Sequence, residues 1–89
     1  MKLGMLLRYH GEAGGPDMGL VLEAEKLGYD SVWSGESYGT DSVTPTTWVL
    51  SRTSKIKAGT GIMQMSARTP AMTAMTALTL QAMSNGRFL

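Results

Sequence analysis

The sequence contains no cysteine and a single histidine among its 89 residues. The lack of cysteine excludes disulfide bonds, thiolate zinc sites and cysteine nucleophiles. One histidine cannot build a site in which several imidazoles hold a metal ion. Because 43% of the residues are hydrophobic and 17% are charged, the composition also excludes an intrinsically disordered chain.

Long hydrophobic runs are also missing. The apolar run at residues 3–7 is too short for the core of a signal peptide. The longest stretch without charge, residues 69–86, contains four threonines and is therefore a poor membrane span. We expect no membrane association and, by default, a cytoplasmic protein.

Acidic residues are absent after Asp41. Residues 1–41 hold seven acids and three bases, a net charge of −4, whereas residues 42–89 hold five bases and a net charge of +5. Two interpretations are open: the two parts pair electrostatically within one fold, or the basic part binds an anionic ligand. The total charge of +1 argues against a dedicated nucleic-acid binder.

The sequence does contain a regular alternation of strand and helix signals. Apolar and β-branched runs predict strands at residues 2–7, 29–33 and 56–62. A proline follows each run, and we place each proline at the first position of a helix, where its missing N–H is tolerated. These prolines are Pro16, Pro45 and Pro70, the last two preceded by the N-cap candidates Thr44 and Thr69.

The predicted order is β-α-β-α-β-α, with the apolar residues 87–89 beginning another strand. Such an order indicates a parallel sheet with right-handed crossovers. Parallel strands need cover on both faces or closure into a barrel, and an eight-stranded barrel takes about 250 residues. We therefore expect an N-terminal piece of a larger α/β protein. A complete small flavodoxin-like module would need more strands than these.

The third predicted helix contains a three-residue repeat, AMTAMTALTL, at residues 71–80. We interpret it as a closely packed helix in which Met72, Met75 and Leu78 fill gaps against a neighbour. Low-complexity sequence is the alternative.

Ligands of parallel sheets bind at the carboxyl ends of the strands, so the residues that follow each strand are the candidates for chemistry. Glu36 could accept hydrogen bonds or transfer protons, or it could simply cap nearby amides. His10 could titrate near neutral pH or be merely solvated. Arg68 precedes a helix start and could meet an anion there, or be a surface arginine.

Five stretches in this order carry a family resemblance: GYDSVW at 28–33, ESYG at 36–39, KAGTGIMQ at 57–64, ARTPAM at 67–72 and SNGRF at 84–88. Together they resemble the luciferase-like monooxygenase superfamily, and within it the oxidoreductases that use the deazaflavin coenzyme F-420. The resemblance implies a (β/α)8 TIM barrel, of which residues 1–89 would form the first three β/α units and the start of strand four.

The resemblance also implies a flavin or deazaflavin lying across the carboxyl ends of the strands. In this family the third strand carries a non-proline cis peptide behind the ring, which the motif places at Gly61-Ile62. The cofactor-binding residues it implies are Gly61, Ile62, Met63, Ser37 and Tyr38. Trp33 and Tyr38 would line or support the pocket.

Glu36 matches an acid that several F-420 enzymes place near the ring, and it is our candidate catalytic residue. Ser37 departs from the family, since a histidine often follows that acid.

The implied function is hydride transfer between coenzyme F-420 and a small organic substrate. A homo-oligomer is left open as the form of assembly. The first alternative is an FMN-dependent monooxygenase. The second is a truncated product that has no catalytic function of its own, because most of the barrel wall would be missing.

Overall fold

A computed structural model describes residues 1–8 and 15–89 of the protein. The elements alternate as predicted: β1 (Gly4–Leu6), α1 (Met18–Lys26), β2 (Ser31–Ser34), α2 (Val43–Arg52), β3 (Lys57–Thr60) and α3 (Pro70–Met83). A short 3-10 helix at Met65–Ala67, which the sequence analysis did not predict, precedes α3.

The strands form a parallel sheet in the order β1-β2-β3. Phe88 adds an isolated parallel bridge to Ala58, at the place where the sequence predicts a further strand. The predicted parallel α/β architecture is therefore confirmed for the described residues. All three strands run in one direction, so their carboxyl ends lie at one edge of the sheet.

The helix starts correct two of the three proline predictions. Asp17 caps α1 by accepting from the Leu20 amide at 3.1 Å, so that helix begins after Pro16. In α2, Asp41 accepts from the Thr44 amide at 2.8 Å, and the helix begins two residues before Pro45. Proline is tolerated throughout the first turn of a helix, because the backbone N–H groups of that turn have no hydrogen-bond partner within the helix. Its position therefore does not identify the first residue.

The third proline prediction is confirmed. Pro70 is the first residue of α3, and the Thr69 side chain accepts from the Met72 amide at 3.1 Å. Gly28 follows the end of α1 with φ of +82°, a conformation in which a residue with Cβ is strained.

One face of the sheet packs against the helices. Val32 and Ala58, which are paired in the sheet, are 1% exposed and meet apolar side chains from all three helices. The helix side chains in this core are Val21, Ala24, Val49, Leu50 and Leu80.

The other face, which we call the open face, contains the row Leu6, Trp33 and Gly59. Leu6 is 70% exposed there. Burial of apolar surface therefore stabilises only one side of this sheet.

The packing expected of α3 is wrong for three of its side chains. Met72, Met75 and Leu78 are all more than half exposed. The helix instead buries Leu80 and Ser84 and half-buries Ala77, which follow a spacing of three and four residues. The three-residue repeat places its larger side chains on the opposite side of the helix.

Two charged side chains hold the chain together at the edge opposite the strand ends. Glu25 accepts hydrogen bonds from the amides of Ser54, Lys55 and Ile56 at 2.8–3.0 Å, where α2 turns into β3. The Arg87 guanidinium donates to the carbonyl oxygens of Leu50, Thr53 and Ile56 at 2.7–3.0 Å.

Arg87 therefore satisfies carbonyl groups that the end of α2 leaves without partners. We predict that Arg87→Met lowers the free energy of unfolding by about 2–4 kcal/mol, because several half-buried acceptors lose their donor together. Urea unfolding followed by circular dichroism measures this loss.

Arg52→Met is the matched control. The Arg52 guanidinium lies 3.2 Å from the centre of the Trp48 ring on the outer surface of α2, and its loss should cost less than about 1 kcal/mol. Equal losses in the two variants would contradict a special role for Arg87.

Candidate functional site

The loops that follow β2 and β3 meet at the carboxyl edge of the sheet. The Gly61 amide donates to the carbonyl oxygen of Ser34, the last residue of β2, at 2.8 Å, which extends the strand pairing one residue past the end of β3. The residues that the sequence places after these strands are therefore neighbours, as the parallel fold requires.

Glu36 and Arg68 form a two-pronged ion pair across this edge. Arg68 Nη1 lies 2.9 Å from Glu36 Oε2, and Arg68 Nη2 lies 3.1 Å from Oε1. The two side chains are only 10% and 16% exposed, respectively. Such paired contacts between a planar guanidinium and a carboxylate fix orientation as well as charge.

Two further donors complete what we call the strand-end cluster, which consists of Glu36, Ser42, Gln64 and Arg68. Glu36 Oε2 accepts from the Ser42 hydroxyl at 3.1 Å and from the Gln64 amide at 3.2 Å. Ser42 is fully buried. Ser42 is not predictable from the sequence, because a serine six residues after a glutamate gives no sign of contact between them.

The cluster sets the charge of its carboxylate. Hydrogen bonds from Arg68 lower the pKa of Glu36 most strongly, and those from Gln64 and Ser42 add to this against the opposing effect of burial. Glu36 is therefore an anion at neutral pH and acts as a hydrogen-bond acceptor rather than as a proton donor in this state.

The cluster bears on alternatives that the sequence left open. Glu36 caps an amide, that of Gln64, and is also a charged acceptor at a strand end. The charge of Arg68 is paired with Glu36 rather than left for an anion.

A second ion pair joins Asp30 to Lys57, with 3.4 Å between Oδ1 and Nζ. Electrostatic pairing between the acidic and basic parts of the sequence is thus observed. His10, in contrast, lies outside the described residues.

The cofactor residues implied by the family resemblance lie beside this cluster. The Gly61-Ile62 bond is cis, where the motif places it. Ile62 is 75% exposed, while Met63 packs partly against the core. The Ser37 carbonyl oxygen accepts from the Gln64 side chain at 3.5 Å, and Tyr38 is fully exposed. Their binding roles remain predictions.

These residues fit a flat ring system with polar edges. A deazaflavin needs an apolar surface for its ring and fixed polar groups beside it. Ile62 supplies exposed apolar surface, and the strand-end cluster supplies a fixed carboxylate. The part of the chain that the structure describes contains no group of three acidic or histidine side chains close enough to hold a metal ion.

Across residues 1–8 and 15–89, no helix combines the length and the apolar character needed to cross a membrane.

We predict that the stability of the chain falls with acidification. A folded-state pKa below the unfolded value stabilises the fold above that unfolded value, about 4.5 for Glu36, and this stabilisation is lost as the pH drops through the folded pKa. Thermal unfolding between about pH 6 and pH 3 should therefore show a falling midpoint. Glu36→Gln should lower the midpoint at neutral pH and make the fall shallower.

Glu23→Gln is the control for this experiment. Glu23 lies 3.9 Å from Lys26 on the exposed surface of α1, and both side chains are more than half exposed. Its variant should keep the pH dependence of the parent chain. A Glu36→Gln profile parallel to that of the parent would contradict the assigned role of the ion pair.

Known proteins resemble this chain over its whole length or nearly so. The profile of the family described as luciferase-like monooxygenase matches residues 1–89. A Mycobacterium tuberculosis protein whose name assigns it to the coenzyme F-420-dependent oxidoreductases is 43% identical over 90 residues, covering 100% of this chain and 26% of that protein.

Among solved structures, the coenzyme F-420-dependent tetrahydromethanopterin reductase of Methanopyrus kandleri matches with a TM-score of 0.71 and 26% identity, over 99% of this chain and 25% of that one. The chain thus spans about a quarter of the length of each relative. Because the family profile covers the whole sequence, the chain belongs to the luciferase-like monooxygenase family.

Proposed function

We propose that the chain supplies one side of the active site of a coenzyme F-420-dependent oxidoreductase. The observation that carries the proposal is the juxtaposition of the Gly61-Ile62 segment with the Glu36–Arg68 ion pair at the carboxyl edge of a parallel sheet. The names of both relatives refer to the same coenzyme.

We further propose that residues 1–89 form the first three β/α units of a (β/α)8 barrel and the start of its fourth strand. The exposed Leu6 on the open face supports this proposal. So does a groove of about 380 Å³ between β1 and α1, which apolar side chains including Met5, Leu20 and Leu27 line. In a closed barrel both surfaces would be covered.

Coenzyme F-420, when bound, supplies hydride transfer to or from a small organic substrate. The backbone of residues 61–63 would lie against its ring, with Ser37 and Tyr38 at the neighbouring loop. These assignments rest on the motif match, on the exposed position of Ile62 and on the full exposure of Tyr38.

Glu36 would act as a fixed anion at the edge of the ring. Its Oε1 atom accepts one hydrogen bond from the described residues, that of Arg68 Nη2. A carboxylate oxygen can accept two, so Oε1 retains capacity for an N–H or O–H of the ligand. A proton-transfer role would require loss of the Arg68 contact, since that contact keeps Glu36 ionised.

The experiment is a titration of the ¹⁵N-labelled chain with coenzyme F-420, and separately with FMN, monitored by amide spectra. We expect F-420 to shift the amide signals of residues 61–64. One edge of a site binds weakly, so the dissociation constant should be on the order of 1 mM, which corresponds to about −4.1 kcal/mol. Equilibrium dialysis at micromolar concentrations should accordingly detect no complex.

The amide signals of α2 around Trp48, on the outer surface, serve as the internal control and should stay in place. Shifts with FMN alone would favour an FMN-dependent monooxygenase. If neither compound shifts any signal, the chain has no cofactor site of its own, and the inactive alternative stands.

A further inference from the structure

The hydroxyl of Ser42 serves Glu36 instead of the helix that follows it. Ser42 is the N-cap residue of α2, a position where a serine side chain ordinarily accepts from an amide of the first turn. No amide of that turn donates to the Ser42 side chain. The Ser42 hydroxyl donates to Glu36 Oε2 at 3.1 Å, and because Ser42 is fully buried, water does not compete for this contact.

Asp41 caps α2 in place of Ser42. Its Oδ2 atom accepts from the Thr44 amide at 2.8 Å and from the Thr44 hydroxyl at 3.0 Å. The first turn of α2 therefore has its side-chain acceptor one residue earlier in the chain. The contact between Ser42 and Glu36 is consequently not a by-product of helix capping.

The backbone of Ser42 is anchored to β3 through Thr46. The Thr46 hydroxyl lies 2.7 Å from the Ser42 carbonyl oxygen and 3.3 Å from the carbonyl oxygen of Gly59. Thr46 is buried as well. Ser42 is therefore held against the strand that leads into residues 61–63.

The donors around Glu36 are divided unequally between its two carboxylate oxygens. Oε2 accepts from the Ser42 hydroxyl, the Gln64 amide and Arg68 Nη1. Among the described residues, only Arg68 Nη2 donates to Oε1. A carboxylate oxygen has about two lone-pair sites, so three donors leave Oε2 no capacity for another.

The structure assigns Ser42 as a positioning residue, which holds Oε2 of Glu36 on the protein side so that Oε1 is the oxygen that meets a ligand. This inference rests on the proposed function and adds to it the residue that orients the carboxylate. The ligand class is a flat ring system with an N–H or O–H donor at its edge, since Oε1 is an acceptor.

The first measurement uses the unaltered ¹³C-labelled chain. The Glu36 Cδ and Ser42 Cβ signals are followed as the pH is lowered from neutral. We expect both signals to move with one midpoint, because protonation of Glu36 weakens the bond that Ser42 donates to it. Arg68 contacts Glu36 and also interacts with Asp41, so the Asp41 carboxyl signal is followed in the same spectra to identify changes that come from its own protonation.

Ser51 is the internal control, because its hydroxyl donates to the Trp48 carbonyl oxygen on the exposed side of α2. Its Cβ signal should not follow the Glu36 titration. A Ser42 signal that moves independently of Glu36 would overturn the inference without any substitution having been made.

A variant pair provides the second measurement. Ser42→Ala should raise the midpoint of the Glu36 titration by about one pH unit, because the charged form loses a donor. Ser51→Ala should leave that midpoint unchanged. In the Glu36→Gln chain, Ser42→Ala should lower the melting midpoint less than it does in the parent chain, since a neutral amide oxygen is the weaker acceptor. Equal losses in the two chains would mean that Ser42 serves the packing alone.

Titration with coenzyme F-420 at neutral pH separates the inference from the function on which it rests. In the parent chain the amides of residues 61–64 should shift, and Ser42→Ala should weaken binding about threefold although Glu36 stays ionised. If these amides shift and Ser42→Ala binds as tightly as the parent chain, the positioning role is wrong and the proposed function stands. If F-420 shifts no signal of the parent chain, both fail.

Discussion

The parallel alignment of the strands is the constraint on which the other features of this chain depend. Each parallel strand requires a crossover, so a helix follows β1, β2 and β3 in turn. The same alignment brings every strand end to one edge and every helix-to-strand turn to the other. The two edges consequently differ. The strand-end cluster lies at one edge, and the helix-to-strand turns lie at the other.

Charged side chains form the main polar contacts that the structure describes at each edge of the sheet. At the turn edge, Glu25 accepts three amide hydrogen bonds and Arg87 donates to three carbonyl groups. Burial raises the pKa of Glu25, but its amide donors and the nearby charge of Arg87 lower it overall. At the strand edge, Glu36 and Arg68 bind each other, and of the two carboxylate oxygens only Oε1 retains capacity for a further hydrogen bond. Glu25 and Glu36 both accept hydrogen bonds from residues 42–89, so the acidic part of the sequence contacts the basic part at each edge.

The strand-end site combines a carboxylate held in a fixed position, that of Glu36, with the exposed apolar surface of Ile62. Arg68 holds Glu36 as an anion, which limits the chemistry that Glu36 can perform unless a ligand disturbs the pair. Gly59 of β3 leaves room for the Trp33 ring, because a Cβ atom at that position would lie 2.9 Å from Trp33 Cζ3. The high glycine content, unusual in a small self-sufficient domain, therefore has a local steric reason at Gly59.

The sequence by itself determined the order of the elements, the parallel sheet, the capped start of α3 and the family, because periodicity, caps and ordered motifs are local properties. It also placed Glu36 and residues 61–63 at strand ends. Only the tertiary structure decided that Arg68 and Ser42 bind Glu36 and that α3 buries Leu80 rather than its methionines. Those contacts join residues that are far apart in the chain or depend on the exact rotation of a helix, and no local pattern encodes either.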